Sequence, residues 1–143
     1  MTSPTTKLSW TEYQAHEHAR IERLFIQLVD AFRADAREDT QALWKVLEDT
    51  IAAHFAVEER HVLPVFMRDD EDEARALRAQ HDEIRKGLAE LGVAVQLHCL
   101  RDALAERFIA ALREHAHRED VLMDQWLRRQ GLAAPVEAQL AHP

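Results

Sequence analysis

One cysteine, three glycines and four prolines are all the special-purpose residues that 143 positions carry. A lone thiol, Cys99, excludes an intrachain disulfide, and without a cysteine pair there is no thiolate framework for structural zinc or an iron–sulfur cluster. Cys99 itself reads as a small buried apolar residue. With 47% hydrophobic residues and few chain breakers, the sequence suits one domain over residues 1–143, with one sizeable core and no strands. No apolar run approaches the length of a membrane span, and the opening MTSPTTKLSWTEY has no basic segment leading into an apolar one. The expectation is a soluble, cytoplasmic protein. Basic residues are the minority, 18 against 26 acidic for a formal charge of −8, and they form no cluster that would offset repulsion from a phosphate backbone. Nucleic acid and membrane are therefore not expected partners. Phosphate-binding loops are absent and no serine lies near an inward histidine, so no catalytic nucleophile is assigned.

Histidine is what the chain has in excess, with nine. Four amphipathic segments carry most of them. The first is expected to start near Ser9, with Ser9 and Glu12 as a capping box, and aligns His18 with Ile21, Phe25, Leu28 and Phe32. The second starts near Asp39 or Thr40 and aligns His54, Glu58 and His61 with Leu43, Leu47, Ile51, Phe55 and Val62. It should stop near Pro64, which cannot continue the hydrogen-bond ladder. Acidic residues from Asp69 to Glu73 suit the positive end of a third helix, whose stripe of Leu77, Ile84, Leu88, Leu91 and Val95 contains His81. The fourth starts near Asp102, aligns His115 and Glu119 with Leu104, Phe108, Leu112, Leu122 and Trp126, and ends near Gly131. The core thus spans about residues 9–131, followed by a short tail in which His142 is solvated. Trp10, Trp44 and Trp126 read as packing residues.

The two halves repeat one arrangement: a lone inward histidine, His18 or His81, followed by a helix bearing histidine and glutamate four apart, His54 with Glu58 and His115 with Glu119. Residues four apart share a helix face and lie about 6 Å apart along the axis. In an antiparallel bundle, residues share a level only if they are equidistant from the turn between their helices. The midpoints between successive groups fall near residues 37, 68–69 and 99, in the ARED, MRDDED and HCLRD segments, all plausible turns. Six metal-capable side chains therefore meet in one layer. A single histidine on an apolar face is usually a satisfied core residue, but two buried carboxylates beside four imidazoles would cost about 2–7 kcal/mol per unmatched polar group, more for a charge. A divalent cation is the simplest compensation. Imidazole with carboxylate suits iron, zinc, copper or manganese, and six protein donors exceed the four of a structural zinc site, so two bridged metals fit better.

HARIERL at His18, HFAVEERHVLP at His54, QHDEI at His81 and HAHRED at His115, in that order, resemble the hemerythrin-like (HHE cation-binding) family over roughly residues 10–130. The resemblance implies an all-α, antiparallel up-down-up-down four-helix bundle around a non-haem di-iron centre. In it Glu58 and Glu119 match the positions that bridge two iron ions, and His18, His54, His81 and His115 match the terminal nitrogen ligands. An oxo or hydroxo bridge, water or a diatomic ligand would complete the coordination. The oxygen-carrying hemerythrins place two histidines four apart on the third helix, whereas the residues four from His81 are Leu77 and Arg85. His61, seven residues after His54, is the further candidate for a fifth nitrogen, as ligand, flanking residue or surface residue. His16 and His117 sit roughly half a turn off their stripes and read as solvated.

The function expected on this basis is binding or sensing of oxygen, nitric oxide or a peroxide at the di-iron centre, with an electron donor as a further partner, and a binding protein is favoured over an enzyme. A ferritin-like di-iron oxidase built on Glu-x-x-His spacings at Glu58–His61 and Glu114–His117 is the enzymatic alternative. A metal-dependent regulatory or interaction module is the third.

Overall fold

The computed structural model describes residues 10–130, with side chains described over 12–122. Helix α1 spans Trp10–Arg33 and α2 spans Arg37–Val57. A five-residue π-helical turn, Glu58–Val62, joins α2 to the short α3, Leu63–Asp69. Helices α4, Glu71–Gln96, and α5, Asp102–Gln130, complete the chain, and no strand occurs among the described residues. Helix α1 packs against α2 and α5, and α4 packs against the same two, which closes a ring of four rods. Their connections are residues 34–36, Asp70 and residues 97–101. Each links neighbouring helices over too few residues for a crossover, so the chain reverses at each and the bundle is antiparallel, up-down-up-down.

The turns use left-handed residues other than glycine. Asp35 (φ 58°) and His98 (φ 51°) end α1 and α4. At the first, the Ala36 N–H donates to the Ala31 carbonyl and the Asp35 N–H to Phe32, both at 3.0 Å; at the second, Cys99 donates to Ala94 at 2.8 Å and His98 to Val95 at 3.0 Å. Both are Schellman-type ends that satisfy otherwise orphaned carbonyls. The two left-handed residues also meet, His98 Nε2 lying 2.6 Å from Asp35 Oδ1, with the His98 ring against Phe32. Cys99 is exposed rather than buried, because it belongs to this turn and not to a helical stripe.

Helix boundaries depart from the expected ones in two places. Helix α2 starts at Arg37, since Thr40 does not cap it but sits inside the first turn, its hydroxyl donating to the Ala36 carbonyl at 2.7 Å. Pro64 does not end the helical run. The Leu63 N–H reaches back five residues to the Glu58 carbonyl, so the helix widens just before Pro64 and absorbs both the missing donor and the ring that would crowd the preceding turn. The start of α4 is as expected, Asp70 accepting from the Glu73 N–H at 3.2 Å. Ser9, Gly131 and His142, and the side chains of Trp10 and Trp126, lie outside the described residues.

Two apolar clusters fill the bundle. The larger includes Ile21, Phe25, Leu28, Leu47, Ile51, Phe55, Ile84, Leu91 and Phe108. The smaller, Val62, Leu63, Phe66, Ala74 and Leu77 with Tyr13 and Val65 against it, is built where α3 folds onto α4. Between them lies a polar layer. No helix is long and apolar enough to cross a membrane among the described residues.

Gly92 marks the close approach of α4 to Trp44, since a Cβ there would sit 2.5 Å from Trp44 Cζ2. Gly92→Ala should overpack this contact by about 1–3 kcal/mol against a helix-propensity gain of roughly 1 kcal/mol. Urea unfolding is expected to show a net loss of up to about 2 kcal/mol. In a Trp44→Leu background the same change should stabilise instead.

Candidate metal centre

The buried polar side chains among the described residues are Gln14, Thr40, Thr50, His54, Glu58, His81, His115 and Glu119. The two threonines are satisfied by their own helix, bonding the carbonyls of Ala36 and Val46 at 2.7 Å. The other six converge on the layer between the apolar clusters, with His18 at its edge. Helix α1 delivers His18 and, one turn earlier, Gln14. Helix α2 ends by placing His54, and the π turn places Glu58 one helical turn on. Helix α4 brings His81, and α5 brings His115 and Glu119.

Two groups of donors form. Glu58, His81, His115 and Glu119 each offer one atom within 4.8 Å of all the others, and so do His18, His54 and Glu119. His54 Nε2 lies 2.8 Å from Glu58 Oε1, and His81 Nε2 lies 3.6 Å from both Glu58 Oε1 and Glu119 Oε2. Glu119 Oε1 is 3.0 Å from His18 Nε2 and 3.1 Å from His115 Nε2. Close as they are, His54 Nε2, His81 Nε2, His115 Nε2, Glu58 Oε1 and Glu119 Oε2 have no aligned hydrogen-bond partner.

For His81 and His115 the outward nitrogens explain why. His81 Nδ1 bonds Glu59 Oε2 at 2.7 Å, and Glu59 is held in turn by Arg85 at 2.9 Å. His115 Nδ1 bonds Gln80 Oε1 at 2.9 Å. Both partners accept, so Nδ1 carries the hydrogen, and a neutral ring then turns a bare Nε2 lone pair inward. Lone pairs on nitrogen therefore face lone pairs on carboxylate oxygen in a dry layer. Such groups cost about 1–3 kcal/mol each when unpaired, and a cation between them removes the conflict. The donor set and its orphaned atoms fit a metal.

A family model for the hemerythrin HHE cation-binding domain matches residues 11–127. The chain belongs to this family. No curated protein and no solved structure matches it. A hemerythrin HHE domain binds metal cations, and the layer just described is where this one has donors that could hold them.

All six residues singled out from spacing, His18, His54, Glu58, His81, His115 and Glu119, are brought together. His61 is not: it lies half-buried in the π turn and belongs to neither group of donors. The widened turn is the reason, since the seven-residue spacing from His54 that would bring it back into phase holds only for a regular α-helix. Glu114 and His117 are exposed on α5, as is His16 on α1. Glu22 faces outward and accepts from Arg113 at 2.7 Å. Three features of this hemerythrin domain were missed from sequence. Gln14 shares the face of His18 at four-residue spacing, which is a usable signal. Gln80 and the π turn have none, because an adjacent glutamine and a widened turn leave no periodicity.

Electrostatics follow from burial. Burial pushes His54 down to about 3. It also opposes charge on His18, but contacts with Asp120 and Glu119 outweigh it and raise that pKa to about 9. Burial and then repulsion from Glu119 push the Glu58 carboxyl well above the usual range. Burial acts the same way on Glu119, yet its contacts with Glu58 and with His18 hold it well below. The metal-free domain thus keeps a proton on His18 at neutral pH. A cation that takes His18 as a ligand must displace it, so binding should release a proton and tighten as pH rises towards about 9, where His18 gives up its proton unaided. Indicator-dye titration of the metal-free domain should show this release; affinity independent of pH between 6 and 9 would contradict it.

Glu59 sets the direction of His81, while Phe55 clamps the same ring with centroids 3.9 Å apart and planes 9° apart. Glu59→Ala is expected to weaken metal binding by about 10–100-fold in chelator competition, with helical content retained.

Proposed function

We propose that this hemerythrin HHE domain holds a pair of iron ions in its polar layer and uses them to bind or sense a small oxidant such as oxygen, nitric oxide or peroxide. The observation that carries this reading is the pairing of two donor groups through one shared carboxylate, Glu119, next to an open cleft. The cleft lies between α1 and α5, encloses about 290 Å³, and has His18, His54 and His115 among its lining residues.

When bound, the irons supply redox-active coordination positions that no side chain offers. The chain's own residues bind, orient and screen. Glu59 and Gln80 fix the inward nitrogens of His81 and His115. Phe55, stacked on His81 and covered by the Arg85 guanidinium 5.2 Å from its ring centre, excludes water on that side. On the cleft side Ala19 and Ala116 leave room, so a molecule of a few atoms can approach the His18 and His54 edge. With Glu114 and His117 exposed, the residues of a carboxylate oxidase are not assembled on α5, which favours binding or sensing over turnover.

Protein loaded with ferrous iron without oxygen is expected to carry about two irons per chain by plasma mass spectrometry and to gain near-ultraviolet and visible bands on admitting air. One zinc per chain, or an unchanged spectrum, would overturn the reading. Because the metals bind only the folded state, free metal at about 100 times Kd should add about 2.7 kcal/mol of stability, lost on chelation.

A further inference from the structure

Gln14 is 1% exposed, and its amide sits against both carboxylates of the polar layer. Nε2 lies 3.4 Å from Glu58 Oε2 and 3.3 Å from Glu119 Oε1. Both separations are long for an N–H to oxygen hydrogen bond, whose usual range is about 2.7–3.2 Å. Its carbonyl oxygen, Oε1, is buried with no partner at all. An amide with weak donors and an orphaned acceptor is an expensive group to bury, at about 1–3 kcal/mol. Nothing in helix packing requires it, since leucine would fill a similar volume.

The same distances have another reading. Oxygens bound at right angles to one cation, each about 2.0–2.2 Å from it, stand about 3 Å apart. A half-turn of the amide exchanges Nε2 and Oε1 with little change in shape, and would set a carbonyl oxygen beside both carboxylates at that kind of spacing. Glu119 Oε1, which the amide touches, is also the oxygen nearest His18 Nε2 at 3.0 Å. His18 and Gln14 are one turn apart on α1, so one helix face addresses one carboxylate oxygen with both. The donor group of His18, His54 and Glu119 is one short of the other group, and a neutral oxygen from α1 would make them equal.

We propose that Gln14 is a seventh residue of the cation centre, its amide donating to the carboxylates in the metal-free protein and turning to offer its carbonyl oxygen as a ligand when a cation is held. This rests on the layer being a cation centre, but not on the cation being iron or on any oxidant.

Cobalt(II) is a suitable probe, because its visible bands report coordination number and geometry. Wild type, Gln14→Leu and Gln14→Glu would be titrated with cobalt in the full chain, with circular dichroism confirming helical content and Gln14→Met replacing the leucine variant if that fails to fold. Gln14→Leu is expected to bind about 10-fold more weakly or worse and to show changed cobalt bands. Gln14→Glu, which keeps an oxygen at the same reach, should restore wild-type-like bands and affinity. Wild-type behaviour from Gln14→Leu would overturn the inference alone, as would bands altered alike in both variants, the outcome if the amide acts only as an N–H donor. Cobalt uptake by none of the proteins would overturn it together with the cation-centre reading, whereas cobalt uptake without an iron–oxidant response would leave the ligand role standing and sink only the oxidant function.

Discussion

Unshared electron pairs, buried and aimed at one another, are the feature on which the rest of this bundle turns. Antiparallel helices bring two carboxylates and four imidazoles to one level, and apolar clusters above and below keep that level dry. Carboxylates can only accept, and imidazoles whose one hydrogen is committed outward can only accept as well. An arrangement of acceptors facing acceptors opposes folding unless positive charge enters it. The proton on His18 supplies some in the metal-free chain, and cations are the fuller answer. Stability and function are thereby joined at one layer, which explains why so costly a set of residues sits in the middle of an otherwise ordinary core.

The π turn shows how local geometry serves that layer. It carries Glu58, fully buried among the imidazoles, and next to it Glu59, which holds His81 from behind. Pro64, which could have ended the helix, is tolerated because the widening precedes it, and the segment continues as α3 to close the end of the bundle over the polar layer. The same device takes His61 out of phase with His54. One irregular turn therefore accounts for a helix that runs on past Pro64 and a candidate nitrogen set aside.

The two sides of the layer are unequal. His81 is fully buried, stacked on Phe55, and tied to Glu59, which Arg85 in turn secures. His18 keeps 11% of its side chain exposed and borders the cleft between α1 and α5, with Asp120 3.2 Å from its Nδ1. One side is enclosed and dry, and the other borders an open cleft. That division agrees with the binding or sensing role proposed above, since a fully enclosed site would hold metal but exclude a ligand.

By itself the sequence determined the helices, their order and the layer. Apolar stripes at helical spacing define four segments, and equal distances from three turns put His18, His54, Glu58, His81, His115 and Glu119 at one depth, because rise per residue is constant in a helix. Periodicity carries that information and no more. It is silent where the helix departs from regularity, so the continuation through Pro64 and the place of His61 were decided by tertiary structure. It is equally silent on which neighbour orients which ring: Gln80 bonds His115 across the α4–α5 interface and Asp35 meets His98 between two turns, contacts set by side-chain direction and interhelix distance rather than by spacing along the chain. Gln14 stands between the two cases, on the right face at the right interval, but recognisable as part of the centre only once the bundle has brought Glu58 and Glu119 to its amide.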